Sequence, residues 1–155
     1  MTDAELLAAA DAIAARAYAP YSQFHVGCAV FCRDGRVVEG LNTVVTRRDP
    51  TGHAETNVVR EAAARLDAGE LAASTLYTST EPCAMCAGAI YWSGIRRVVF
   101  ALSEASLADI VAEQEGVPTM RLPCREVFAR GGREVTVAGP AELPEAADVH
   151  AGFWG

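Results

Sequence analysis

Apolar residues recur along the chain with two different periods, one typical of helices and one typical of strands. Helical spacing predicts helices over residues 2–17, 53–66, 83–92, 107–114, 123–130 and 144–151. Short runs rich in β-branched and aromatic residues predict strands over residues 24–33, 36–45, 74–80, 95–102 and 134–138. The order of these elements predicts an α/β fold, with one mixed sheet covered by helices on both faces.

Residues that start helices or make turns mark several of the boundaries. Thr2 and Glu5 have the spacing of a capping box, and the dipeptide Asp34-Gly35 predicts a two-residue hairpin turn between the first two strands. The polar residues 46–52 predict a loop. The sequence shows no internal repeat, low-complexity stretch or interdomain linker, so we expect a single domain over residues 1–155.

Composition and charge exclude several classes of function. The 155 residues are 51% hydrophobic and 21% charged, which is ordinary for a globular domain. The net charge of −7 predicts weak binding to nucleic acid, and all 13 basic residues are arginines, which excludes a Schiff-base lysine and a P-loop lysine. No apolar run has membrane-spanning length and the acidic N-terminus does not resemble a secretory signal. We therefore expect a cytoplasmic protein without membrane contact, whose five cysteines are reduced.

Three potential metal ligands occur in two short motifs. Cys83 and Cys86 lie three residues apart at the start of a predicted helix, where the helix N-terminus favours thiolates. His53 begins another predicted helix, directly after a loop rich in helix breakers. If the two helix N-termini converge, these side chains hold one ion and leave a fourth position for water, as in catalytic zinc sites. Glu55, two residues after His53, would then take and return a proton of that water.

The remaining cysteines and histidines offer no obvious fourth ligand. Cys28 and Cys32 lie on the predicted core face of their strand, Cys124 is expected to be structural, and His25 and His150 are expected to be packed or surface residues. Two other interpretations stay open. A Cys-x-x-Cys pair is also typical of redox sites, although that interpretation leaves the His-x-Glu motif unexplained. A closed structural zinc site would make the chain a non-catalytic binding module.

The motifs H-x-E and P-C-x-x-C resemble those of the cytidine deaminase-like superfamily of zinc hydrolases, and the resemblance extends over roughly residues 17–100. Residues 49–55 (DPTGHAE) and 81–90 (EPCAMCAGAI) are similar to the guanine deaminase and tRNA adenosine deaminase branch. The dipeptide Tyr91-Trp92 that follows is closer to guanine deaminase. Residues 17–27 (AYAPYSQFHVG) are instead similar to free cytidine deaminases.

This resemblance implies a three-layer α/β/α sandwich with a mixed five-stranded sheet. It also implies one zinc ion per chain, held by His53, Cys83 and Cys86, with Glu55 as the catalytic proton shuttle. Substrate contacts are implied for a further set of residues: Asn42, Phe24, Ala54, Ala84, Trp92, Phe153 and Trp154. Because C-terminal aromatic residues close the site in relatives, the last two of these are expected to border the pocket of their own subunit or of the partner in a homodimer.

Two departures from the family patterns reduce the number of substrate classes that we expect. Val44 occupies the position where cytidine deaminases carry a ribose-binding glutamate, which favours a free base over a nucleoside. Residues 103–110 (SEASLADI) replace the glycine-rich stretch of the tRNA enzymes, and this chain is acidic where those enzymes are basic. We therefore expect a small-molecule substrate, a guanine-like purine, a cytosine-like pyrimidine or a close analogue, whose hydrolytic deamination releases ammonia. Action on tRNA adenosine is the alternative.

Overall fold

A computed structural model describes residues 2–16, 27–112 and 120–148. The described residues form five strands: β1 (Gly27–Phe31), β2 (Val37–Leu41), β3 (Thr75–Thr80), β4 (Arg97–Leu102) and β5 (Thr136–Ala138). They also form eight helices: α1 (Asp3–Arg16), α2 (Val44–Arg47), α3 (Ala54–Arg65), α4 (Ala68–Ala73), α5 (Ala84–Ser93), α6 (Glu104–Ala112), α7 (Cys124–Ala129) and α8 (Pro144–Asp148). None of these described helices is long and apolar enough to cross a membrane.

The five strands form one mixed sheet in the order β2-β1-β3-β4-β5. Strand β1 is antiparallel to both β2 and β3, whereas β3, β4 and β5 are parallel to one another. Parallel neighbours need crossover connections, which α5 provides between β3 and β4, and α6 with α7 provides between β4 and β5. The predicted mixed five-stranded sheet is confirmed, and its topology brings the carboxyl ends of β3 and β4 side by side.

Helices cover both faces of the sheet, so the domain has two apolar cores. On one face α3, α5 and α7 pack on a core that includes Leu76 and Phe100. On the other face α1 and α8 pack on a core that includes Tyr77 and Val99. These four residues alternate along β3 and β4 with the two-residue period of a strand. The three-layer α/β/α arrangement is therefore confirmed.

The first hairpin differs from its prediction. Strand β2 ends at Leu41 rather than at residue 45, because Asn42 Oδ1 accepts a hydrogen bond from the Val44 N–H (3.0 Å) and turns the chain into the short helix α2. Residues 44–47 are therefore helical, not strand or loop. The turn between β1 and β2 spans residues 32–36 rather than two residues, and Gly35 supplies the positive φ of 89° that the turn requires.

Two helices also differ from their predictions. Helix α4 lies where the sequence pattern predicts no element, and it begins with a capping box in which Asp67 and Glu70 each accept a 2.8 Å hydrogen bond from the other's backbone N–H. Helix α6 begins at Glu104, ahead of the predicted start at residue 107. The predicted capping box of Thr2 and Glu5 is present at the start of α1.

The packing of α3 on β2 depends on the absence of a side chain at Gly40. A Cβ atom at this position would overlap the carbonyl oxygen of Ala54 and would lie 2.7 Å from the Cβ of Val58. Both atoms belong to the buried side of α3, where neither can move away without shifting the helix. Gly40 therefore sets how closely the start of α3, next to His53, approaches the sheet.

Gly40→Ala should lower the free energy of unfolding by about 1–3 kcal/mol, because the added methyl group forces α3 away from β2. Gly88→Ala in α5 is a matched control, because nothing lies within 4 Å of the Cβ atom it adds. That replacement of a helical glycine should leave the stability unchanged or raise it by about 0.5–1 kcal/mol. Urea unfolding followed by circular dichroism measures both, and a Gly40→Ala protein as stable as wild type would contradict the packing argument.

Candidate active site

His53 and Cys83 occupy the same structural position in two different helices. His53 is the N-cap residue of α3 (φ −69°, ψ 154°) and Cys83 is the N-cap residue of α5 (φ −66°, ψ 172°). Neither side chain makes a capping hydrogen bond to its own helix, and the two side chains instead lie close to each other. Helices α3 and α5 pack against each other, and their N-termini converge as the sequence predicts.

The three predicted ligands lie close enough together to hold one ion. Cys83 Sγ and His53 Nδ1 are 3.5 Å apart, and the donor atoms of His53, Cys83 and Cys86 all lie within 4.8 Å of one another. Tetrahedral zinc, with bonds of about 2.0–2.3 Å to nitrogen and sulfur, places its ligand atoms about 3.3–3.8 Å apart. The donor set therefore fits zinc in chemistry and in spacing. Among the described residues the group has these three members and no fourth histidine, cysteine or carboxylate.

Glu55 lies beside the three donors without being one of them. It is 4% exposed in the first turn of α3, with Oε2 3.7 Å from Cys86 Sγ and Oε1 3.1 Å from Thr78 Oγ1. Burial raises the pKa of the Glu55 carboxyl to about 7, and the negative charge of Cys83 adds to the shift. A carboxyl group with a pKa near neutrality can both take and return a proton at neutral pH.

The two cysteines of the cluster carry one thiolate and one thiol. A hydrogen bond from Cys86 lowers the pKa of Cys83 to about 4, and His53 contributes in the same direction. The same hydrogen bond, together with burial and the nearby Glu55 carboxylate, raises the pKa of Cys86 well above its usual value. Cys83 is therefore an anionic ligand at neutral pH, and a metal ion must displace the proton of Cys86.

The loop before His53 is held by a residue that the sequence analysis did not identify. Asn57 Nδ2, on α3, lies within hydrogen-bond distance of the Leu41 carbonyl (2.7 Å), Thr43 Oγ1 (2.9 Å) and the Gly52 carbonyl (3.3 Å). It therefore joins the end of β2 to the residue that precedes His53. Its signal in the sequence is an asparagine inside a helix, where this residue is unfavourable unless it has a tertiary partner.

Glu81 fixes the loop before Cys83 in a similar way. It is 7% exposed, and its two carboxylate oxygens accept the backbone N–H groups of Glu104 (3.1 Å) and Cys124 (2.8 Å). Its own N–H donates to the Leu102 carbonyl (2.7 Å). One buried carboxylate thus ties the end of β3 to the starts of α6 and α7. No local pattern in the sequence signals this role, because the partners are backbone groups far away in the chain.

Three of the predicted substrate-contact residues lie in the same region as the predicted ligands. Ala54 and Ala84 directly follow the two N-cap residues, as the first residues of α3 and α5. Asn42 is 5% exposed at the end of β2, beside the loop that Asn57 holds.

Trp92 lies elsewhere in the described chain. It is 83% exposed in the last turn of α5, and its ring contacts that of Tyr91 with 5.2 Å between ring centroids. It follows Cys86 by six residues, which corresponds to about 9 Å along the helix axis. A single chain therefore does not bring Trp92 to the ligand cluster. The remaining predicted contacts and two histidines lie outside the described residues: Phe24, Phe153, Trp154, His25 and His150.

The other cysteines belong to the apolar core that α3, α5 and α7 cover. Cys28 and Cys124 are fully buried, and Cys32 is partly buried and packs against the same core. Burial raises the pKa of the Cys124 thiol to about 12 and that of Cys28 well above its usual value. Both are therefore neutral thiols at neutral pH, and neither belongs to the group formed by His53, Cys83 and Cys86.

Comparison with known proteins identifies the family. Residues 1–102 match the family model described as the cytidine and deoxycytidylate deaminase zinc-binding region. The chain belongs to this deaminase family. The matched segment contains His53, Cys83 and Cys86, and it also contains Glu55. This decides in favour of a zinc-dependent hydrolytic deaminase over a redox protein or a non-catalytic zinc module.

The relatives of this deaminase are named for three different deaminase activities. A Schizosaccharomyces pombe protein named "Probable cytosine deaminase" is 37% identical over 132 residues, which are 85% of this chain and 80% of that protein. The guanine deaminase of Bacillus subtilis is 45% identical over 82 residues, 52% of this chain and 53% of that protein. A tRNA-specific adenosine deaminase of Haemophilus influenzae is 45% identical over 78 residues, 49% of this chain and 45% of that protein. The match thus spans about half the length of the last two relatives.

Solved structures share the fold over nearly the whole chain. A structure in complex with 2,6-diaminopurine has a TM-score of 0.73 at 29% identity, and the match covers 95% of this chain and 78% of the other. A guanine deaminase from Nitrosomonas europaea has a TM-score of 0.65 at 30% identity, with 96% of this chain and 79% of the other covered. The cytidine deaminase-like fold is therefore confirmed.

The purified deaminase should contain one zinc ion per chain, and Cys86→Ser should lose most of it, because one of only three protein donors is removed. Cys32→Ser is the matched control, since Cys32 packs against the core and is not part of the ligand cluster. Elemental analysis of gel-filtered protein measures the stoichiometry of both variants. A full equivalent of zinc in Cys86→Ser would contradict the ligand set.

Proposed function

We propose that this deaminase removes the exocyclic amino group of a free nucleobase as ammonia, with a guanine-like purine favoured over a cytosine-like pyrimidine. The observation that carries the proposal is the buried Glu55, which contacts the ligand cluster without belonging to it. Relatives named guanine deaminase and cytosine deaminase, and a related structure that holds 2,6-diaminopurine, support a free base as the substrate.

The reaction replaces an amino group on a ring carbon with the oxygen of water. A carbon–oxygen bond forms, a carbon–nitrogen bond breaks and ammonia leaves, without any oxidation or reduction. Zinc held by His53, Cys83 and Cys86 would supply an activated water at this carbon. Glu55 takes one proton from the water and delivers it to the adjacent ring nitrogen, then carries the second proton of that water to the leaving amine. Its burial keeps bulk water out of this exchange.

Backbone and amide groups around the cluster would orient the base. Asn42 Oδ1 already accepts the Val44 N–H (3.0 Å), which fixes the amide and leaves Nδ2 to donate to a substrate acceptor. The N–H of Ala84 lies in the first turn of α5, where N–H groups have no partner within the helix, and it would donate to a ring carbonyl. The N–H of Ala54, in the first turn of α3, would donate to the base in the same way.

Val44 supports a free base rather than a nucleoside. It is partly buried at the start of α2, two residues beyond Asn42. Its side chain cannot accept a hydrogen bond from a ribose hydroxyl, and a ribose placed against it would lose hydrogen bonds to water without compensation.

Aromatic residues would close the site and join two subunits. Phe24, Phe153 and Trp154 are our candidates for packing on the base and excluding water from the reaction. The exposed indole of Trp92 would be covered in a homodimer, because large apolar groups left in water mark interaction surfaces. The proposal includes a single catalytic domain over residues 1–155 and a cytoplasmic location.

Action on tRNA adenosine is the second candidate. It is favoured by the relatives named as tRNA-specific adenosine deaminases. The net charge of −7 argues against it, because RNA binding depends on the neutralisation of phosphates by basic side chains.

An ammonia-release screen over guanine, cytosine, adenine, their nucleosides and a tRNA anticodon arm tests the proposal. The highest kcat/KM should belong to a free base, and that base should exceed its own nucleoside because the site lacks a ribose anchor at Val44. Inosine formation in the anticodon arm, without turnover of any base, would replace the proposal with the second candidate.

The same screen includes Glu55→Gln, which should keep its zinc but lose at least ~10²-fold in kcat, because an amide cannot carry the proton. Glu61→Gln is the matched control, since Glu61 lies on the same helix in an exposed ion pair with Arg65 and should not affect turnover. A Glu55→Gln rate near that of wild type would rule out the proposed mechanism.

A further inference from the structure

Thr78 lies directly beneath the catalytic carboxylate. It is fully buried in β3, and its Oγ1 is 3.1 Å from Glu55 Oε1 and 2.9 Å from the carbonyl oxygen of Thr80. Across the sheet it is paired with Cys28 of β1, which is also fully buried. The hydroxyl therefore faces two oxygen acceptors, one on the Glu55 side chain of α3 and one on the backbone of its own strand, and the Cys28 thiol also lies within its reach.

A hydroxyl group has a single hydrogen, so Thr78 can donate to only one of these two acceptors at a time. Donation to Oε1 links β3 to the carboxyl group of Glu55 on α3, and this link limits the rotamers open to the Glu55 side chain.

This matters because a proton shuttle acts only while its carboxyl group stays within reach of the reacting atoms. A buried oxygen that loses its partner is costly, and an unheld carboxyl group can rotate away from the reacting atoms. The other oxygen of Glu55 faces Cys86, a ligand in the cluster, and a thiol bound to a metal ion can no longer donate to it. Thr78 is then the side-chain donor that the described structure leaves to Glu55.

We propose that Thr78 is a positioning residue for the deamination reaction, whose hydroxyl group holds Glu55 in place through its hydrogen bond with Oε1. The inference rests on the proposed function, because it assigns Thr78 a role through Glu55 and not through contact with the base. A structural role for the side chain predicts something different. The side chain is fully buried on the face of β3 that also carries Leu76, where a structural role needs only a residue of the same shape, whereas the positioning role needs the hydroxyl.

Thr78→Val and Thr78→Ser separate these two roles. Thr78→Val preserves the shape and removes the hydroxyl, so it should keep the fold and one zinc, keep KM within about 3-fold, and lower kcat by about 10- to 100-fold, because small displacements of a catalytic group have effects of this size. Thr78→Ser retains the hydroxyl and should keep at least about a third of the wild-type kcat. Thr136→Val, an exposed threonine on β5, is the matched control and should not change kcat.

The double variant Glu55→Gln/Thr78→Val shows whether Thr78 acts through Glu55. Because the carboxyl group is already absent, the second substitution should lower the residual kcat by less than about 2-fold. An unchanged kcat in Thr78→Val, an equal loss in Thr78→Ser, or a full additional loss in the double variant would each overturn the proposal.

Crystal structures of the Thr78 variants provide a readout that does not depend on the substrate. Glu55 should be displaced or occupy alternative rotamers in Thr78→Val and should be in its wild-type position in Thr78→Ser. If wild type deaminates no free base, the proposed function fails, and these structures still decide the positioning role. An undisturbed Glu55 in Thr78→Val would overturn that role whatever the substrate is.

Discussion

Two helices on one face of the sheet must direct their N-termini at the same point, and the rest of the structure depends on this constraint. The N-cap residues His53 and Cys83 can reach one ion only because α3 and α5 pack together on the same core. The approach of α3 is set by Gly40, and the start of α5 is set by the loop after β3. Both helix ends contribute positive potential, which favours the thiolate of Cys83 and any anionic group bound there.

Polar side chains hold this geometry without disulfides. The partly buried Asn57 ties the end of β2 to the loop before α3, and the buried Glu81 ties the end of β3 to the starts of α6 and α7. The two N–H groups that donate to Glu81 begin helices and have no partner within them, so Glu81 satisfies these groups as it fixes the loop. The Glu55 carboxyl group is buried on α3 beside Thr78. Its raised pKa comes from burial and from the negative charge of Cys83, whereas the hydrogen bond from Thr78 lowers the pKa and helps to fix its position.

The sequence predicts the sheet, its flanking helices and the ligand cluster, because these depend on local patterns. Apolar periodicity is a property of consecutive residues, and the spacing of Cys83 and Cys86 on a helix start is fixed by helix geometry. The sequence does not predict the end of β2, where a single hydrogen bond of Asn42 overrides the strand preference of Val44 and Val45. Nor does it predict the roles of Asn57, Thr78 and Glu81, since their partners are brought near only by the tertiary fold. Trp92 shows the converse limit: its motif resembles a family feature, but the fold of one chain leaves its side chain exposed and away from the ligand cluster.

The central claim is that three side chains at two helix ends form a zinc site that stays open. X-ray absorption at the zinc edge of the purified protein tests it most directly, because it counts the atoms bound to the ion by element. The account predicts two sulfur atoms at about 2.3 Å, one histidine nitrogen at about 2.0–2.1 Å and one further oxygen. A third sulfur or a second histidine in place of that oxygen would show a closed structural site and would contradict the account.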